Sequence, residues 1–363
     1  MKKICQSFNV CLLVSTIVFF SGCCDPVWEF TTGDSVESSP AVSGGYVYVG
    51  SGDNKVYCLN ATTGAKIWEF ETGDAVESSP AVLNGYVYVG SSNGKVYCLN
   101  ATTGVKVWEY ATGDWVYSSP AVSNGYVYVG SGDGKVYCLN ASTGAWVWEY
   151  TTGNSVPTSP AVSGGYVYVG SYDSKVYCLN STTGAKVWEY KTEDEIISSP
   201  AVSGGYVYIG CVGSIATFYC LNATTGTKIW GYEGSGVESS PAVSDGYVYI
   251  SVDSRVYCLN ATTGAEVWES NILGDEMFSS PAATGDYVYV GSDSGKIYCL
   301  NAATGATVWE CGTRDGIDSS PAVTNGYVYV GSGDGKIYCL NSEAGDTGSW
   351  PMFRYNNERT GAN

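Results

Sequence analysis

The chain has 363 residues, 35 of them acidic against 17 basic and none histidine, for a formal net charge of −18 at neutral pH. A surface this acidic repels phosphate, which excludes nucleic acid and bare anionic membrane as ligands. The lack of histidine removes Ser-His-Asp and Cys-His nucleophiles, histidine-ligated metals and a Cys-x-x-Cys-His haem attachment.

The first 24 residues read differently from everything after them. Lys2 and Lys3 make a basic start, Val10 to Phe20 an apolar run of eleven residues, and Phe20-Ser21-Gly22-Cys23 a small-residue cleavage site ending in cysteine. Eleven residues are too few to span a bilayer as a helix. The pattern resembles a lipoprotein signal with Cys23 as the acylated first residue of the mature chain, although Phe20 stands where that signal usually has leucine. Residues 1–23 are therefore expected to be a signal peptide, 24–350 a single folded unit and 351–363 a C-terminal tail. Such a chain is exported to the cell envelope or cell surface and meets the membrane only through its lipid anchor.

Beyond the leader one unit is copied eight times. Its Ser-Pro-Ala start places prolines at Pro40, Pro80, Pro120, Pro160, Pro200, Pro241, Pro281 and Pro321, a period of 40 or 41 residues. In the first copy Ala41 and Val42 lie in a first strand, Tyr46 to Val49 form the second, Val56 to Leu59 the third and Ile67 to Phe70 the fourth. Turn residues separate them, at Ser43-Gly44-Gly45, Gly52-Asp53-Asn54 and Ala61-Thr62-Thr63-Gly64. Tyr46 and Tyr48 point one way and Val47 and Val49 the other, so both faces of the sheet are apolar. A sandwich would show polar residues on one face. A small sheet buried on both faces and repeated at constant period is a propeller blade, so the expected fold is all-β, an eight-bladed β-propeller of four-stranded antiparallel blades.

Eight copies of the first three strands meet nine Trp-bearing fourth strands, at Trp28, Trp68, Trp108, Trp148, Trp188, Trp230, Trp268, Trp309 and Trp350. The surplus tryptophan precedes the first full copy. Val27 to Thr31 is therefore expected to supply the outer strand of the last blade and close the ring; the alternative closes it with Trp350.

The run Cys58-Leu59-Asn60-Ala61-Thr62-Thr63-Gly64-Ala65-Lys66-Ile67-Trp68 resembles the tryptophan-docking motif of the PQQ-type propellers, with Cys in its Ala position. Seven copies keep the Gly-to-Trp spacing, whereas the eighth has Ala344 for Thr and Trp350 one residue late. With Trp28, the seven tryptophans from Trp68 to Trp309 are the expected structural docking residues. The resemblance covers residues 27–341 and implies a fold more than a chemistry. Quinone-dependent members of such a family need cations for three cofactor carboxylates, a calcium cage and a carboxylate base. The arginines here are Arg255, Arg314, Arg354 and Arg359, and no inserted loop has the length to build that site. No catalytic residue, cofactor ligand or metal ligand is assigned.

Cys58, Cys98, Cys138, Cys178, Cys220, Cys258, Cys299 and Cys339 share one repeat position on the third strand. Equivalent strands of neighbouring blades lie about 10 Å apart, beyond the ~7 Å reach of a disulfide, so buried thiols are expected there. Cys211 and Cys311 are single departures without an assigned role. Asp53, Asp133, Asp173, Asp253, Asp293 and Asp334 recur in the second-to-third hairpin, where turn formation accounts for them.

The expected function is a non-catalytic exported scaffold or protein-interaction module, resembling propeller lipoproteins of the outer-membrane-assembly type. It is expected to be monomeric, with an envelope or cell-surface protein as partner. Cell-surface adhesion or carbohydrate binding, with a glycan as ligand, is the rival reading, and a PQQ-dependent dehydrogenase the second. Loops joining first to second and third to fourth strands are nearly uniform. A partner surface is expected on the opposite face, at Trp115, Tyr117, Tyr172, Ile215, Met277 and Phe278, where Pro157, Ile196 and Ile197 also break the pattern. Six Asn-x-Ser/Thr sequons, at Asn60, Asn100, Asn140, Asn180, Asn222 and Asn260, fall on the loop between third and fourth strands. They are either glycan acceptors or a by-product of the docking turn.

Overall fold

The computed structural model describes residues 25–213, 216–234 and 237–342. Cys23 and the rest of the leader, Ile215, Trp350 and the tail lie outside the described residues. Within them, strands fall into eight four-stranded antiparallel sheets. Those of the first blade run Ala41–Ser43, Tyr46–Gly50, Lys55–Asn60 and Lys66–Glu71. They outreach the apolar pattern by a residue at most ends, because Gly50 still pairs with Val56 and Lys55 with Glu71.

Ring closure follows the expectation. The last sheet is ordered Trp28–Thr31, Lys336–Asn341, Tyr327–Ser332, Ala322–Thr324, with Trp28 directly opposite Cys339. The segment at the start of the described chain thus occupies the outer edge of the last blade.

Each blade is apolar on both faces because each is pressed between two others. Val47, Val49, Tyr57 and Leu59 of blade one pack with Trp28, Tyr329, Ile337 and Cys339 of blade eight. On the other face Tyr48, Val56, Cys58 and Trp68 pack with Val87, Val89, Tyr97 and Leu99 of blade two. Burying one Val, Leu or aromatic side chain in this way contributes about 1.5–3 kcal/mol, and every junction repeats the set.

Around the axis the blades are joined by a belt of serines. Ser39 N–H donates to Ser79 Oγ at 3.0 Å, Ser79 to Ser119 and Ser119 to Ser159 at 2.9 Å, and so through Ser199, Ser240, Ser280 and Ser320. Ser320 N–H returns to Ser39 Oγ at 2.8 Å and completes the circle. All eight serines are buried, so each hydroxyl satisfies a backbone donor that would otherwise be stranded in the core.

The repeat cysteines are buried thiols, as expected. Cys58 sits across the ladder from Tyr48, and burial pushes its thiol up to about 12, far from any reactive thiolate. Cys311 departs from this pattern: it is buried and disulfide-bonded.

Candidate functional site: the mouth of the axis

The two faces of the disc are built differently. Ala61 N–H bonds Gly45 O at 2.9 Å, which puts the first-to-second and third-to-fourth loops on one face. Gly52 N–H bonds Ser35 O at 2.9 Å and Val76 N–H bonds Ser51 O at 3.1 Å, which ties the second-to-third hairpin to the fourth-to-first connections on the other.

On the uniform face every loop takes part in docking. Trp68 Nε1–H donates to Ala101 O at 2.9 Å, and its ring rests on Gly104 of the next blade. Gly104 has φ +70°, and a Cβ there would lie 2.7 Å from the ring, so glycine is required twice over. Trp28 repeats the contact across the closure, donating to Ala61 O at 2.9 Å. The docking ring therefore caps the motif of the following blade. All eight docking tryptophans, Trp28, Trp68, Trp108, Trp148, Trp188, Trp230, Trp268 and Trp309, make this bond, with Trp230 and Trp309 the half-buried members.

On the other face the residue four before each repeat proline is buried: Val36, Val76, Val116, Val156, Ile196, Val237, Met277 and Ile317. The next residue stands at the mouth of the axis, just ahead of the serine belt, in the series Glu37, Glu77, Tyr117, Pro157, Ile197, Glu238, Phe278, Asp318. Here one repeat position splits into chemical sectors. Asp318, Glu37 and Glu77 form an acidic arc over blades eight, one and two, while Tyr117, Pro157 and Ile197 form an apolar arc over blades three to five.

The acids feel one another. Burial in the rim, then the charges of Glu37 and Asp74, push Glu77 up to about 7. Burial together with Glu37, Asp293 and Asp315 pushes Asp318 up to about 6, even though water reaches it at the mouth. Glu238 is raised by burial and by Glu276.

The proposed partner residues are brought together only in part. Trp115 and Tyr117 stack with ring centroids 4.3 Å apart, Trp115 lying over Gly132 of its own blade. Phe278 is 40% exposed, but blades seven and three are diametrically opposed, so it stands across the mouth from Tyr117. Tyr172 is half-buried, its backbone N–H bonded to Ser155 O at 3.0 Å. Met277 corrects the expectation: at 4% exposure it fills the core beside Leu273 and Trp268, because it occupies the position that is Val76 in blade two. Ile196 is buried for the same reason. Ile272, 66% exposed, was missed, as were the mouth acids; aligning the copies on their prolines would have exposed that column. Apolar exposure is also not confined to this face, since Val105 and Trp146 are exposed just past the docking turns.

The hairpin aspartates are structural where their bonds are seen. Asp53 Oδ2 accepts from Tyr57 Oη at 2.6 Å and from Gly33 N–H at 2.7 Å, and Asp133 and Asp173 repeat the arrangement. Among the described residues no three Cys, Asp or Glu side chains converge to hold a metal ion. A quinone bearing three carboxylates fits the mouth poorly, because four of its eight positions are acidic, and of the two described arginines Arg255 is held at the outer edge by Glu269 at 3.1 Å and Ser270 O at 3.0 Å, which leaves Arg314 of the connection before blade eight against three carboxylates.

An eight-bladed propeller with docked tryptophans and an axial mouth defines a class of repeat protein, and comparison narrows it. The family profile described as "Outer membrane protein assembly factor BamB" matches residues 25–117 and 252–356, and the one described as "Beta-alanine-activating enzyme, beta-propeller" matches residues 84–286. The chain belongs to the PQQ-like β-propeller family. Among solved structures it is similar to BamB from Moraxella catarrhalis, with a TM-score of 0.76 and 22% identity over 88% of this chain and 99% of that one. It is similar to the computationally designed Ika8 protein, with a TM-score of 0.78 and 19% identity over 86% and 97%. A europium-containing methanol dehydrogenase also aligns, with a TM-score of 0.71 and 17% identity over 85% of each chain. At these identities the likeness is one of fold. No curated protein sequence matches the chain.

Proposed function

We propose that this protein is a non-catalytic, exported propeller lipoprotein that binds a protein partner of the cell envelope at the mouth of its axis. The observation that carries this reading is the split of a single repeat position into an acidic arc and an apolar arc, in a chain whose docking turns on the other face are uniform. Charged and aromatic side chains side by side on one rim suit a partner segment with cationic and apolar side chains. The family match and the fold of BamB support an assembly role over a chemical one. The lipoprotein-type leader ending at Cys23 and the disulfide at Cys311 both suit an oxidising compartment outside the cytoplasm.

Affinity capture from envelope extract tests the reading. Trp115→Ala combined with Phe278→Ala should reduce recovery of a specific partner at least tenfold, while Val105→Ala combined with Trp146→Ala leaves it unchanged. Equal capture by both double variants would refute the mouth as the binding surface. Cys23→Ser should release the protein from membranes, and retention would place the anchor elsewhere.

A further inference from the structure

We propose that Asn60, Asn100, Asn140, Asn180, Asn222 and Asn260 carry N-linked glycans, forming an arc over six consecutive blades on the face opposite the mouth. The inference rests on export of the chain, as proposed above, and on a cell that transfers lipid-linked oligosaccharide to asparagine, and needs nothing about the partner.

The docking turn accounts for the asparagine. Asn100 Oδ1 accepts from Thr102 N–H at 3.1 Å, from Thr103 N–H at 2.9 Å and from Thr103 Oγ1 at 3.0 Å, and the other five sequons repeat these bonds. It does not account for the hydroxyl two residues on. Thr62, Thr102, Ser142, Thr182, Thr224 and Thr262 are all exposed, and among the described residues none of their hydroxyls finds a hydrogen-bond partner. The hydroxyl that the turn uses belongs to the residue after, such as Thr103.

Blade seven supplies the control. There the loop reads Asn301-Ala302-Ala303-Thr304, and Asn301 Oδ1 still accepts from Ala303 N–H at 3.1 Å, Thr304 N–H at 3.1 Å and Thr304 Oγ1 at 3.0 Å. Alanine at this place leaves the turn intact, so the turn places no demand on a hydroxyl there. Exposed neighbours have drifted between copies, as at Ala65, Val105 and Thr227 or at Lys66, Trp146 and Glu266. In blades one to six the same place has changed once, to Ser142, the other residue that a sequon accepts. No other asparagine of the chain is followed two residues later by Ser or Thr.

The reacting atom is also available. Each of the six asparagines is partly exposed, and among the described residues none of their Nδ2 groups has a protein partner. Transfer forms an Nδ2–C1 bond to an oligosaccharide activated as its lipid phosphate. The C1–O bond to phosphate breaks, the phosphate leaves with the bonding pair, and Nδ2 gives up one proton. A glycan so attached breaks no hydrogen bond of the fold, and the docked Trp rings lie behind the turn on the carbonyl of the next residue.

The full chain, purified from the envelope of the cell that makes it, would be read by glycopeptide mass spectrometry. Hexose-containing adducts are expected on the six asparagines and not on Asn301. Thr102→Ala should abolish the adduct at Asn100 alone without shifting the melting temperature, and Ala303→Thr should create one at Asn301. Six unmodified asparagines in envelope-recovered protein would overturn the inference, as would adducts that survive Thr102→Ala at Asn100.

Discussion

The two faces of this disc share one scaffold and one history of repetition, yet the docking turns of one have stayed uniform while the loops of the other have diverged. On the uniform face side chains hold the blades together: the Trp rings, the glycines beneath them and the Asn turns are each contacted by the neighbouring blade. A change there is felt at a junction. On the mouth face the loops are held by backbone bonds such as Gly52 to Ser35 and Val76 to Ser51 and by small polar side chains, Ser51 Oγ on Asp34 O, Thr72 Oγ1 on Asp74 O and Asp53 on Gly33 N–H among them, and none of these bonds uses the side chain of Trp115 or Phe278. Side chains that hold no loop bond are free to become a binding surface.

The largest test of that contrast replaces one tryptophan from each face. Trp108→Ala removes a ring buried at 7% exposure and its bond to Ala141 O, and should cost about 3–5 kcal/mol in chemical denaturation. Trp115→Ala removes a half-exposed ring and should cost less than about 1 kcal/mol. Equal losses would mean that the faces do not differ in the way described.

A methyl group probes the same difference more finely. Gly104→Ala combines an unfavourable φ of +70° with a Cβ 2.7 Å from Trp68 and should cost about 2 kcal/mol or more. Gly132→Ala brings a Cβ within 2.4 Å of Trp115, but that ring can swing toward solvent, so about 0.5–1 kcal/mol is expected. A reversed order would show Trp115 to be the more firmly fixed ring.

The smallest effect concerns charge at the mouth. Glu77 is raised to about 7 in the fold, above its ordinary value of 4.5. The folded state therefore holds the proton more tightly, and the stabilisation this gives is complete below pH 4.5 and lost as the pH rises through 7. Glu77→Gln should then stabilise the protein by about 1 kcal/mol at pH 8, less than the full linkage because water reaches the rim, and by nothing at pH 4. A gain that is constant across this range would rule out the acidic arc as its source.

Much of this was legible in the chain because repetition multiplies weak signals. Eight prolines at a constant period, two apolar faces per strand and a surplus Trp28 led to eight blades closed by the N-terminal strand. Each of those signals is local, a matter of spacing and alternation along the chain. What lay beyond them depends on which blade stands beside which. Local patterning does not say that Trp68 caps the turn of blade two, or that Ser320 meets Ser39 to complete the belt, because these contacts join residues whose neighbours in space are a blade or a whole ring away in sequence. Nor does it separate Met277 from Phe278. Both look like apolar breaks in a polar loop, and only the tertiary packing turns one into the core and the other into the mouth.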